Sequence, residues 1–155
     1  MSKSLARVKA ALHAAGLDIE PVELGDARTA QQAADVAGCH LDQIAKSIVF
    51  RGSDSGQAIL FLTAGGNRVS AEKAAFLAGE PLEQADAALV RAQTGFAIGG
   101  VAPIGHLNPI RSFWDGRLSE FATIWAAAGT PRHIFEIAPD VLLRLTSAIP
   151  GEFTV

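Results

Sequence analysis

Cysteine is all but absent from this chain: Cys39 stands alone among 155 residues. One thiol forms no internal disulfide and offers no framework for a metal. A reducing cytoplasm is the expected setting. Long apolar runs are also missing. None approaches the roughly 20 residues that span a bilayer, which excludes a transmembrane helix. The opening segment Met1-Ser2-Lys3-Ser4-Leu5 lacks the apolar stretch of a secretory signal. Nor is there a basic excess, since 13 Lys and Arg face 16 Asp and Glu for a formal charge of −3. Broad phosphate binding needs the opposite balance, so a surface coated in nucleic-acid contacts is excluded and only a small, local basic site is left open. What the chain does have is hydrophobicity: 49% of its residues are apolar, which rules out disorder. Its length suits one domain with a real core.

The local patterns are readable in order. Leu5, Val8, Leu12 and Ala15 recur at helical spacing, and Gly16 suits a left-handed stop. His13 falls on the flank of that helix and reads as a surface residue. Residues 19–24 alternate as a short strand would. Thr29-Ala30-Gln31-Gln32 matches a capping box for a helix that stops at Gly38. Cys39 and His40 follow in the turn; adjacent side chains usually point apart, so a nucleophile–base pair is the weaker reading. Ile44-Ala45-Lys46-Ser47-Ile48-Val49-Phe50 and Ala58-Ile59-Leu60-Phe61-Leu62-Thr63 flank a Gly/Ser/Asp linker and predict a hairpin. Strands so apolar should be central and covered on both faces. Lys46 is then conspicuous. It either snorkels from a strand end or is held in a pocket for a purpose.

Ser70-Ala71-Glu72-Lys73 has the Ser-x-x-Lys spacing of penicillin-recognising enzymes, but the Ser-Asp-Asn and Lys-Thr-Gly companions are missing. Ser70 reads better as the N-cap of a helix over 71–78 closed by Gly79. Asp86 caps a further short helix ending near Gly95. Residues 95–106 then hold four glycines and Pro103, a density that lets backbone approach a ligand closely. The spacing is neither a Rossmann fingerprint nor a P-loop, and a plain structural turn remains its bland alternative. Residues 111–115, 122–126 and 133–137 are strand candidates, with a turn at Gly129-Thr130-Pro131. Pro139 suits the first position of a last helix over 138–147, whose Val141, Leu142 and Leu145 should pack on the sheet. Strands clustered in the middle and end with helices between them predict an α+β fold. Its mixed sheet should be strongly curled and barrel-like, surrounded by helices, with one pocket at the Gly-rich corner.

Two of these segments together carry a resemblance. Ile44-Ala45-Lys46-Ser47-Ile48-Val49-Phe50, followed about fifty residues later by Thr94-Gly95-Phe96-Ala97-Ile98-Gly99-Gly100-Val101-Ala102-Pro103-Ile104-Gly105, resembles the YbaK/prolyl-tRNA synthetase-associated editing domain family. The likeness extends from about Thr29 to Thr146 and includes Arg132-His133-Ile134-Phe135-Glu136-Ile137-Ala138-Pro139-Asp140. It implies one editing domain over residues 1–155. The implied activity is that of a free-standing, cytoplasmic aminoacyl-tRNA deacylase that removes a small wrong amino acid (Ala, Cys, Ser, Thr or similar) from tRNA, chiefly tRNA-Pro. The family's essential lysine falls on Lys46 and its Gly-x-x-x-Pro loop on Gly99-Gly100-Val101-Ala102-Pro103. The resemblance thus implies Lys46 and Gly100 as catalytic, and Ser47, Gly99, Val101, Ala102, Pro103 and His133 as substrate-binding. His106 stands where a polar amide often follows the loop's last glycine. The implied partners are the acceptor end of the aminoacyl-tRNA and prolyl-tRNA synthetase, with no cofactor, metal or membrane.

The chemistry of these residue types is compatible. Ester hydrolysis builds negative charge on the carbonyl oxygen, and backbone N–H groups in a glycine-rich loop can be aimed at it. A lysine ammonium can anchor a phosphate or steady the oxyanion. No Ser-His-Asp constellation is evident, so direct attack by water is expected. Gly100→Val is expected to block the acyl group and spare the fold. A non-catalytic tRNA- or synthetase-binding module of the same fold, and a small-molecule pocket protein unrelated to tRNA, are the alternatives.

Overall fold

A computed structural model describes residues 2–155; Met1, the first residue of the expected domain, lies outside the described residues. The chain runs α1 (Lys3–Ala14), β1 (Val22–Glu23), α2 (Ala30–Ala37), β2 (Ile44–Gly52), β3 (Ala58–Ala64), α3 (Ala71–Ala78) and β4 (Leu82–Gln84). It continues α4 (Ala87–Thr94), β5 (Arg111–Trp114), β6 (Ile124–Ala127), β7 (His133–Ile137), α5 (Pro139–Thr146) and β8 (Ile149–Pro150). The helix ends follow their capping chemistry. Ser2 Oγ accepts the Leu5 amide, and Thr29 and Gln32 form the reciprocal box at α2. Ser70 and Asp86 cap α3 and α4, and Pro139 opens α5. Gly38, Gly79 and Gly95 end their helices in the left-handed conformation.

The mixed sheet has the order β1-β7-β6-β2-β3-β5-β8, with β4 also paired to β2. Its path ends on two short strands and does not close into a barrel. β3 is the central strand. All seven of its residues are buried, because alternate side chains feed two different cores. Leu60 and Leu62 join α1, α4 and α5 through Leu12, Val90 and Leu142. Ile59 and Phe61 face α3, where Phe61 stacks on Phe113 at 5.1 Å between ring centroids. A third cluster packs Ala33 and Ala34 of α2 on Ile44 and Ile134.

β2 departs from the expectation of full cover, and the departure makes the site. It pairs with β3 along its length, from Ala45↔Ala64 to Arg51↔Ala58. On its other edge, β6 pairs only with Ile44 and Ala45, and β4 only with Phe50, Arg51 and Gly52. Residues 46–49 therefore face a gap between two partner strands, among the described residues, and are half-buried. The loop after α4 comes up beside that gap. β4 and β8 were not foreseen. Leu82-Glu83-Gln84 has no apolar run, and Pro150 is tolerated because β8 lies at the sheet edge.

Candidate active site

A cavity of about 330 Å³ opens at the gap in β2. Lys46 and Ser47 line it from β2, Gly99 and Val101 from the loop after α4, Thr130 from the β6–β7 connection and His133 from the start of β7. The N-terminal turn of α2 closes it with Arg28, Thr29 and Ala33. Five of the residues implied by sequence thus meet in one place: Lys46, Ser47, Gly99, Val101 and His133. Gly100, Ala102 and Pro103 do not line it. Ala102 is fully buried, and Pro103 faces a separate cavity of about 570 Å³ on the other side of the loop. Whatever these three contribute comes through backbone and packing, not through side chains against a ligand.

Lys46 is held by a turn. Its Nζ donates to the Asn67 carbonyl at 2.6 Å. That turn is pinned by buried Asp115, which accepts the Ala64 amide at 3.0 Å and the Asn67 side-chain amide at 2.9 Å. Asp42 accepts the Gly66 amide at 2.7 Å and Arg117 Nε at 2.9 Å. Burial lowers the Lys46 pKa; the carboxylates of Asp115 and Asp42 oppose that, and Arg68 adds to it. Burial would raise the Asp42 carboxyl, but its bonds to Arg117 and Gly66 outweigh that and hold it below the usual range. Asn67 and Asp115 were missed by sequence reasoning. The Gly65-Gly66-Asn67 turn signal was there to be read, but its approach to Lys46 depends on the hairpin register that sets Lys46 opposite Thr63.

Ser47 Oγ is buried without a hydrogen-bond partner. The residue lines both the main cavity and an adjoining one of about 160 Å³. An unmet buried hydroxyl costs about 1–3 kcal/mol, which a polar ligand atom would recover. On the loop, the Gly100 amide is committed to Ala97 O at 3.0 Å. Among the described residues, the amides of Val101 and Ala102 donate to no acceptor. A Cβ at Gly100 would lie 2.8 Å from the Thr130 carbonyl carbon, so the loop packs backbone to backbone on the 129–131 turn. Thr130 Oγ1 in turn lies 2.7 Å from His133 Nδ1 and accepts the Arg132 amide at 3.1 Å.

His106 does not enter the site. Its Nε2 lies 2.6 Å from Ala102 O, where it acts as the donor. Burial lowers its pKa against the support of that bond, and Arg7 lowers it further. A histidine kept neutral in the fold but free to protonate when unfolded stabilises the fold above about pH 6.5, and this contribution is lost as pH falls below that value. Thermal unfolding across pH 5–8 should show this loss, and His106→Gln should flatten it. An unchanged profile in the variant would remove His106 as the cause.

Ser70 Oγ accepts the Lys73 amide at 3.3 Å, and Lys73 Nζ donates to Thr154 O at 3.0 Å on the surface. His40 Nδ1 accepts the Asp42 amide at 3.0 Å and so serves as a cap, not as a base for Cys39. Burial, then Glu136, raises the Cys39 pKa, the opposite of an activated thiol. Among the described residues, no group of three or more His, Cys, Asp or Glu is placed to hold a metal, and no helix is long and apolar enough to cross a membrane.

Known proteins resemble this chain in sequence and fold. The family model described as "Aminoacyl-tRNA editing domain" matches residues 25–145. A crystal structure described as a provisional trans-editing enzyme for prolyl tRNA synthetase superposes with a TM-score of 0.93 at 44% identity, covering 100% of this chain and 99% of that one. The protein YwhH of Bacillus subtilis, itself uncharacterized, is 34% identical over 125 residues, 81% of this chain and 78% of its own. The provisionally named Cys-tRNA(Pro)/Cys-tRNA(Cys) deacylase EbsC of Enterococcus faecalis is 25% identical over 130 residues, 83% of this chain and 79% of its own. The lysine-bearing strand and the glycine loop that frame the cavity both fall inside the matched segment, and by that match the chain belongs to the aminoacyl-tRNA editing domain family.

Proposed function

We propose that this chain is a cytoplasmic trans-editing deacylase that hydrolyses the ester between a small, wrongly attached amino acid and the terminal adenosine of tRNA, with tRNA-Pro as the main carrier. Alanine, cysteine, serine and threonine are the candidate acyl groups. One observation carries the reading: the cavity sets the Lys46 side of β2 against a glycine loop from which Val101, whose amide is uncommitted, lines it. Water attacks the acyl carbon, the ester C–O bond breaks, and the ribose oxygen leaves with a proton. Negative charge grows on the carbonyl oxygen, and each aimed backbone donor stabilises it by on the order of 3 kcal/mol. Lys46 and Gly100 act here by charge and by close backbone packing. Ser47, Gly99, Val101 and His133 bound the acyl group. The Ser47 hydroxyl lacks a base at hydrogen-bond distance, so it serves binding, not covalent attack. Selectivity comes from size. Each methylene is worth only about 1–3 kcal/mol in an apolar pocket, which makes steric exclusion of the correct prolyl group the necessary device. The prolyl link in the descriptions of the trans-editing neighbour and of EbsC supports that carrier.

The acceptor end would enter past Arg28 and Arg132, which line a cavity of about 170 Å³, together with Asp26, that shares Arg28, Gly99 and Pro131 with the main one. Neither arginine forms an ion pair among the described residues. Replacing both by alanine should weaken tRNA binding and flatten its dependence on log salt by about 0.7 for each single-strand phosphate that is no longer neutralised. Hydrolysis of 3′-O-alanyl-adenosine, which carries no phosphate, should be unaffected. Equal losses on both substrates would overturn this route. The function itself is tested by a deacylation panel of Ala-, Cys-, Ser-, Thr- and Pro-tRNA-Pro. Tight tRNA binding without cleavage above the buffer rate would make the chain an accessory module instead.

A further inference from the structure

We propose that Arg7 is a positioning residue for the deacylation, acting from α1 as a clamp on the glycine loop. This rests on the deacylase reading above. Arg7 lies outside the family-matched segment of residues 25–145. It is remote in sequence from the loop it holds, yet its one guanidinium bonds both ends of that loop. The terminal Nη2 donates to Gly95 O at 2.6 Å, and Nε donates to Gly105 O at 2.9 Å. The planar fork spans two carbonyls that a single ammonium could not hold in the same geometry.

The clamp continues inward. The Arg7 guanidinium carbon lies 4.7 Å from the centroid of the buried Phe96 ring. Phe96 meets His106 edge to face at 5.9 Å, and His106 Nε2 reaches Ala102 O at 2.6 Å. A continuous set of contacts thus leads from α1 to the middle of the loop, next to the uncommitted amides. A second route starts one turn earlier on the same helix. A Cβ at Gly129 would lie 2.6 Å from Ser4 O, and the turn behind Gly129 is the one that packs on Gly100. Helix α1 therefore backs both loop walls of the cavity. Loop amides contribute to catalysis only where they are held in place before the charge develops, and a misplacement of about 1 Å can cost on the order of 10²-fold in rate.

The test uses the full chain with Arg7→Lys, Arg7→Ala and, from the other end of the same contacts, His106→Leu. Two readings are taken. Amide hydrogen exchange should quicken across residues 96–106 in each variant, while the β3 amides of residues 58–64 keep wild-type protection. Single-turnover deacylation should fall on the order of 10²-fold in kcat for Arg7→Ala, with KM within about threefold. Arg7→Lys should recover little, because charge without the fork does not close the loop. Exchange that rises evenly over the whole chain, or wild-type exchange across 96–106, overturns the clamp. A localised exchange change with unaltered kcat overturns its catalytic consequence. If the wild-type protein itself deacylates nothing, the functional reading falls, and the exchange pattern still decides whether Arg7 holds the loop.

Discussion

Lys46→Met should lower kcat/KM for a mischarged tRNA by on the order of 10²–10³-fold while leaving the protein folded. The loss corresponds to about 3–4 kcal/mol of transition-state stabilisation, the scale seen when one preorganised donor to an oxyanion is removed. Methionine keeps an unbranched apolar stem and deletes the charge. The Asn67 carbonyl loses its donor, but the turn retains the Asp115 bonds to Ala64 and Asn67, so melting should shift little. The half-buried ammonium also carries a desolvation cost that the variant no longer bears. Lys46→Arg should not restore activity, since a larger planar group must fit between β2 and the 65–67 turn. In the wild type, activity should fall as pH rises through the lowered Lys46 pKa, so the alkaline limb should lie below the ordinary lysine value. Activity in Lys46→Met equal to wild type, measured above the spontaneous hydrolysis of the ester, would remove the lysine from the mechanism.

The second large effect is expected at Gly100, for a reason different from the one its sequence context suggests. A glycine in this loop invites the view that added bulk would meet the acyl group and spare the fold. The geometry corrects that view. A Cβ there points at the 129–131 turn, 2.8 Å from the Thr130 carbonyl carbon and 3.0 Å from Pro131 N. Both are backbone atoms that cannot rotate away. Gly100→Ala should therefore already move the loop or the turn, and Gly100→Val more so, at about 1–3 kcal/mol of stability for the overpacking. Because Thr130 Oγ1 also holds His133, the displacement reaches the cavity wall, and turnover should fall on the order of 10²-fold. Melting curves and single-turnover rates for the two variants check this. Wild-type stability with reduced turnover would favour direct contact with the acyl group instead.

The helices were legible because each begins and ends on capping chemistry that is local in sequence. Thr29 with Gln32, Ser70, Asp86 and Pro139 all cap or open the helices their spacing indicates. The β2–β3 hairpin was legible from its apolar runs and Gly/Ser/Asp turn. What no local pattern carried was the split edge of β2. That gap depends on where β4 and β6 stop, and β4 shows no apolar run to announce it. The same holds for the site. Lys46, Ser47 and the glycine loop stood out as residue types in unusual places, whereas Asn67, Asp115, Thr130 (through its backbone packing on Gly100) and Arg7 act through contacts between segments far apart in the chain. The resemblance of two motifs picked out five residues that line one cavity, but it also assigned Ala102 and Pro103 to a surface from which both side chains are turned away.

The most direct measurement is the single-turnover hydrolysis of tRNA-Pro charged in turn with alanine, cysteine, serine, threonine and proline, each against its own buffer blank. The proposed function requires at least one small acyl group to be released far faster than the blank, with prolyl-tRNA-Pro left at the blank rate. Release of the prolyl group at a comparable rate, or of none of the five, would contradict it.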